Sequence, residues 1–345
     1  MNHPPNFSSF NEFQRLPKVD LHRHLEGTLR LNTLREVAAA HQIELPAGTD
    51  LARLVQVQQD EPFTSDNFLS KFATLRLFYV SPEIIRRAVY EAFEDAAKDG
   101  VIYMELRFSP VALTRVKNYP MSEAMDWVIA SAQKASRDFN ITAGLIVCIL
   151  RHESRALAEE ITSLSIERAG KGIAGLDLAG DEVRFSALPF ADLFQQAKAA
   201  GLGITIHAGE WGPAENIRQA VEVLGADRIG HGVRVLEDPQ VVALVRERGT
   251  AFEVCPTSNY QTGGVTSLAA HPLARMVNAG VTVTINTDDP AISQITLTNE
   301  YRVACAELKL SRQALQACIL AAARASFLPP GEREKLVNTL GLELF

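Results

Sequence analysis

Two histidines two residues apart, His22 and His24 in the run Val19-Asp20-Leu21-His22-Arg23-His24, open the chemistry of this chain. On a β-strand, positions i and i+2 share a face, so the two imidazoles project side by side. Two nitrogen donors at one strand end are a start on a divalent metal, zinc or a similar first-row ion. The pair alone carries little, because such short windows also arise incidentally on surfaces and in cores. Recurrence gives it weight. His207, His231 and Asp288 also stand where short apolar runs end. Four of the chain's eight histidines therefore fall at such ends. Three histidines and an aspartate supply N and O donors suited to Zn²⁺, with a position left for water. Singly, His207 or His231 reads as a hydrogen-bonded core histidine; for the set, the metal reading wins.

A metal with an open position activates water, and hydrolysis also needs a proton donor for the leaving side. Glu210 stands three residues after His207. It is either a general acid held protonated in a closed pocket or a helix-start glutamate favoured by the dipole. His231, beside the water, is a base or a hydrogen-bond orienter. Asp288 and Asp289 are adjacent and point in different directions, so one can reach metal while the other reaches substrate. A strand-end Asp-Asp-Pro turn explains the same shape, yet it leaves two buried charges unpartnered.

The elements that must position these groups are legible as an alternation. Strands are expected at Val19–His24, Val101–Phe108, Ile141–Leu150, Gly172–Leu178, Gly203–Ile206, Arg228–His231, Thr250–Val254 and Val281–Thr287, each followed by helical sequence. Apolar runs without period-two alternation mark strands buried on both faces of a parallel sheet. Eight such units predict a closed (β/α)8 TIM barrel with extra helices and its active site at the C-terminal ends of the strands. An open doubly wound sheet is disfavoured, since no Gly-rich phosphate fingerprint follows the first strand. An insertion before the second strand carries Phe63, Phe68, Leu69, Phe72, Leu75 and Phe78 at helical spacing. These are either a buried helix face or an apolar lid over a ligand pocket. Residues 1–16 are expected to be a flexible polar segment, and 17–345 one domain.

Composition agrees with a globular enzyme and narrows the partners. The net charge of −7, with no Lys/Arg cluster, disfavours nucleic acid and anionic membrane as partners. No apolar run approaches the roughly 18 residues of a membrane span. The four cysteines lack CxxC spacing and secretory context, so a reduced, cytoplasmic protein is expected.

The motifs HRHLEG, DLAGDE, HAGE, RIGHG, CPTSN and TDDP, in this order and at these strand ends, resemble the adenosine deaminase group of the amidohydrolase superfamily. The resemblance runs from about Pro17 to beyond Pro290. It implies that His22, His24, His207 and Asp288 bind one Zn²⁺ per chain. It implies further that Glu210 protonates the purine ring nitrogen beside the attacked carbon, and that His231 orients and deprotonates the attacking water. Asp289 would hold the imidazole side of the purine, and the Gly180 amide would donate to its pyrimidine ring. Phe68, Leu69 and Phe72 resemble the family's apolar gate. The implied reaction is hydrolysis of adenosine or 2′-deoxyadenosine to inosine or 2′-deoxyinosine and ammonia, with a small purine nucleoside as the partner. One position departs: Glu26 stands where animal-type enzymes carry an Asp that contacts the ribose. Adenine, or a modified adenosine such as aminodeoxyfutalosine, is therefore the alternative substrate.

Competing designs leave marks that this chain lacks. A binuclear amidohydrolase needs a lysine at the end of strand four, where Leu178-Ala179-Gly180 stands. The His/Cys-x-Glu…PCxxC deaminase design needs a second cysteine after Cys255-Pro256. A non-catalytic purine- or metal-binding protein is a third reading. It has no use for an acid at Glu210 or an orienter at His231. Oligomeric state is not legible.

Overall fold

The chain is described by a computed structural model over residues 9–46 and 48–344. Eight strands form one sheet in sequence order: β1 (Lys18–His24), β2 (Val101–Phe108), β3 (Thr142–Leu150), β4 (Ile173–Ala179), β5 (Gly203–Ala208), β6 (Arg228–His231), β7 (Ala251–Val254) and β8 (Thr282–Ile285). Every neighbouring pair is parallel, and helices cover the outside, as the unbroken apolar runs predict. The fold is a (β/α)8 barrel.

The seam between β8 and β1 closes partly through a side chain. The expected eighth strand, Val281–Thr287, ends in regular pairing at Ile285. Beyond it the Asn286 side chain takes over, with the Leu21 N–H donating to Asn286 Oδ1 at 2.9 Å. The backbone resumes at Asp288, whose N–H donates to the His22 carbonyl at 2.7 Å, while the His24 N–H donates to the Asp288 carbonyl at 2.9 Å. Ligand candidates from opposite ends of the sequence are thereby fixed in one register.

Two further segments gain detail. Within the segment expected to be flexible, Phe10–Arg15 is a helix, because Phe13 and Leu16 are buried against the barrel's helical shell. Residues 1–8 of that segment lie outside the described residues. The insertion before β2 contains the helix Ser65–Leu75, capped by the Thr64 side chain, and a 3-10 turn, Arg76–Phe78. Leu75 and Phe78 enter the core. No helix of the described residues is long and apolar enough to cross a membrane. All four cysteines are unpaired.

Candidate active site

The strand ends bring His22, His24, His207 and Asp288 together with one ligand atom each, all within 4.8 Å of one another. The Nε2 of His24 lies 3.3 Å from the Nε2 of both His22 and His207. Asp288 Oδ1 is 3.3 Å from His22 Nε2 and 3.4 Å from His24 Nε2.

The ring behind them sets which nitrogen is free. His22 Nδ1 donates to Glu253 Oε2 at 2.7 Å, and His207 Nδ1 donates to Asp177 Oδ1 at 3.0 Å. In the neutral imidazoles the Nε2 atoms of His22 and His207 therefore present lone pairs toward His24 and a carboxylate. Nitrogen and oxygen donors gathered this closely fit a divalent cation of the zinc type. Burial holds His24 well below the usual imidazole range and lowers His207 against the pull of Asp177. For His22, burial and Arg107 oppose the charged form, but Asp288 and Glu253 outweigh them and raise its pKa.

Backbone strain accompanies this convergence. His231 and Asp288 both have φ +62°, a left-handed conformation that costs a non-glycine residue about 1–3 kcal/mol. It turns both side chains inward at their strand ends. Asp288 Oδ2 accepts from Ser258 Oγ at 2.6 Å, which fixes the carboxylate's orientation.

Over the ligand cluster opens a cavity of about 340 Å³, lined among others by His24, Glu26, Gly180, Glu210, His231 and Asp289. Glu210 is buried, with Oε2 3.6 Å from His231 Nε2 and Oε1 accepting from Thr262 Oγ1 at 3.2 Å. Burial, with Asp288 and Glu182 nearby, lifts its pKa well above the ordinary carboxyl range, so its neutral, proton-donating form is favoured. Asp289 is buried beside it, and its Oδ1 has no hydrogen-bond partner. Gly27 makes room for this carboxylate, since a Cβ there would stand 1.8 Å from Asp289 Oδ1. Phe68, Leu69, Phe72 and Arg76 form one wall. The lid and core readings of the insertion thus divide by residue: Phe68, Leu69 and Phe72 face the cavity, while Leu75 and Phe78 do not line it.

Several side chains that shape the site carried no signal of their own in the sequence. Glu182 accepts from the backbone N–H groups of Gly209, Glu210, Trp211 and Gly212 at 2.7–2.9 Å and from Asn216 Nδ2 at 2.8 Å. That single carboxylate shapes the loop carrying Glu210. Arg107 donates to Asp177 at 3.0 Å and to Glu253 at 2.7 Å, balancing the charges behind the histidines. Glu26, already noted in the sequence, also lines the cavity: its Oε1 accepts from the Ser109 N–H at 3.2 Å while Oε2 is buried without a partner. Arg76 Nε is likewise buried and unpartnered. Glu182 lies inside DLAGDE, but only the folded loop shows which four amides it gathers.

Comparison with known proteins agrees with this geometry. A family model described as adenosine deaminase matches residues 17–341. An adenosine deaminase from Klebsiella pneumoniae is 40% identical over 94% of this chain and 97% of its own length. An adenine deaminase from Arthrobacter aurescens superimposes with a TM-score of 0.86 at 29% identity, covering 95% of this chain and 98% of its own. An amidohydrolase from Burkhoderia ambifaria, solved with bound Zn, reaches a TM-score of 0.90 at 25% identity over 99% of this chain and 94% of its own.

Proposed function

We infer function from one premise: the chain belongs to the adenosine deaminase family. It is a hydrolase acting on C–N bonds. Its reaction is the hydrolytic deamination of adenosine and 2′-deoxyadenosine to inosine and 2′-deoxyinosine, with release of ammonia. The observation that carries this reading is the convergence of His22, His24, His207 and Asp288 on the floor of a cavity that also holds Glu210. The cofactor is one Zn²⁺ per chain, held by those four residues. When bound there, a zinc ion supplies Lewis acidity and lowers the pKa of water from 15.7 to about 7.

The chain's own residues supply the rest. Glu210, protonated in its buried setting, gives a proton to the purine ring nitrogen next to the attacked carbon and so prepares that carbon for water. His231 orients the attacking water from the other side. Asp289 holds the imidazole edge of the base, and the Gly180 amide donates to its pyrimidine edge. At the sugar end, the free Glu26 Oε2 accepts from a ribose hydroxyl. Arg76, whose Nε is unpartnered, stands on the same cavity wall as a donor. Phe68, Leu69 and Phe72 exclude water from the closed site. We place the enzyme in the cytoplasm, where its unpaired cysteines persist.

The relation to the Arthrobacter adenine deaminase keeps a second substrate in view, but the polar sugar end favours the nucleoside. A pocket that pairs with hydroxyl groups leaves its own groups unpaired on free adenine, which can cost several powers of ten. The test is kcat/KM for adenine, adenosine, 2′-deoxyadenosine, AMP and aminodeoxyfutalosine, read as ammonia released. Adenosine and 2′-deoxyadenosine should lead. Adenine equal to or above adenosine would overturn the substrate, and silence on all five would overturn the activity.

A further inference from the structure

A chain of hydrogen bonds runs from the backbone, through two residues outside the cavity lining, to the ring of His231. The Leu273 N–H donates to His271 Nδ1 at 3.1 Å. A backbone amide is always a donor, so His271 Nδ1 is an acceptor and bears no proton. His271 is buried, and desolvation pushes its pKa down to about 3, with Arg275 adding to the effect. The ring is neutral, and its one proton sits on Nε2. That nitrogen donates to Asn259 Oδ1 at 3.3 Å. The amide orientation of Asn259 follows: were it reversed, its NH2 group would meet another N–H. Asn259 Nδ2 therefore donates to His231 Nδ1 at 3.0 Å.

We propose that Asn259 and His271 are positioning residues that lock neutral His231 in the tautomer with its proton on Nε2. That nitrogen faces the reacting centre, 3.6 Å from Glu210 Oε2 and 3.9 Å from Asp288 Oδ2. In this tautomer His231 enters the reaction as a hydrogen-bond donor. It holds the attacking water by its oxygen and steadies the negative charge that develops there as the proton leaves. It does not accept that proton at Nε2, because the position is filled; the proton passes to the Glu210 carboxylate, which has given its own to the ring nitrogen and lies 3.6 Å from the same Nε2. The inference rests on the reading above that His231 faces the attacking water, and it decides between the orienting and the deprotonating role. All four members of the chain are buried: His231 and His271 in the core, Asn259 fully, and the Leu273 side chain beside them. Solvent therefore offers no competing partner that could release the tautomer.

The test is ¹⁵N spectroscopy of the histidine rings in zinc-loaded enzyme, with His231 assigned by comparison with a His231→Gln variant. Wild-type enzyme should show a protonated Nε2 and an unprotonated, hydrogen-bonded Nδ1 on His231. Asn259→Asp has the same shape but only acceptors, so it should move the proton to Nδ1. It should lower kcat roughly 10²–10⁴-fold, between the loss of one orienting contact and the installation of a wrong tautomer. His271→Gln keeps a donor to Asn259 and should retain the wild-type tautomer, with kcat within about threefold of wild type. His271→Phe removes the donor and should give a mixture of tautomers, a readout that holds if Asn259→Asp folds poorly. A wild-type ring protonated at Nδ1, or an Asn259→Asp variant that loses activity with its tautomer unchanged, would overturn the proposal. The ring signals need no turnover, so they stand or fall separately from the substrate assignment.

Discussion

Two rings of polar side chains share the barrel interior and are treated in opposite ways. The outer ring, His22, His24, His207 and Asp288, gathers acceptors against one another at 3.3–3.4 Å, on strand ends where His231 and Asp288 carry left-handed backbone. The ring behind it is paired charge against charge within the protein. Arg107 spans Asp177 and Glu253, and Arg228 donates to Glu253 at 2.6 Å and to Glu105 at 2.5 Å. Arg228 also stacks on Phe327, 3.6 Å from the ring centroid. The contrast teaches a division of labour. The inner ring balances its charges within the protein and holds the tautomers of His22 and His207; the outer ring, on the function proposed above, is completed by a cation. Changes in the outer ring should strike activity and spare the fold, whereas changes in the inner ring should strike both.

The largest effect on activity is expected from His207→Ala, which removes one ligand. Metal content should fall with kcat/KM, by more than about a thousandfold, since the metal's charge stabilisation is worth several kcal/mol. The melting temperature of the metal-free protein should change little, because the relieved crowding among the ligands offsets the lost hydrogen bond from His207 to Asp177. A metal-free variant less stable than metal-free wild type by several kcal/mol would erase the contrast between the rings.

Glu210→Gln should come next, with metal content unchanged and kcat lowered roughly 10²–10⁴-fold. A value within a factor of about three of wild type would move the acid elsewhere.

In the inner ring, Asp177→Asn keeps an acceptor for His207 but removes the charge facing Arg107. Metal affinity should weaken about 10–100-fold, and the fold should lose stability because the buried Arg107 guanidinium loses one of its two counter-charges, by about 3–5 kcal/mol at most. Chelator competition and urea unfolding read the two effects apart. Loss of metal affinity at unchanged stability would merge the rings into one.

The smallest effect belongs to the rim. Arg184 bridges Asp181 and, at 3.0 Å, Asp66 on the gate helix, but both Arg184 and Asp66 are largely exposed. Arg184→Ala should change kcat/KM by less than about fivefold, the scale of a surface ion pair. A larger change would make this pair part of the gate.

The outer ring was legible in the sequence because each member closes an apolar run, and eight runs in order leave few topologies. The position of Glu210 three residues past His207 was legible for the same reason. The inner ring was not, since Arg107, Asp177 and Glu253 are single charges inside apolar strands, and their partners lie 70 and 146 residues apart along the chain. Only barrel closure shows that they neutralise one another. Asn259 fell inside the noticed CPTSN motif, yet its partner His271 lies outside that motif, just after a 3-10 turn, Leu268–Ala270. Strand eight was read too long because Asn286 and Thr287 follow its last apolar residue directly, yet they serve the seam with their side chains. Arg76 was not singled out in the sequence, and only the cavity reveals its wall position.

The account's central claim is that one ion completes the outer ring and that adenosine is deaminated only then. Chelator-treated enzyme should be titrated with Zn²⁺ while ammonia release from adenosine is followed. Activity should start near zero, rise in proportion to added metal and reach its plateau at one equivalent per chain. A plateau at two equivalents, or full activity in protein shown to be metal-free, would contradict it.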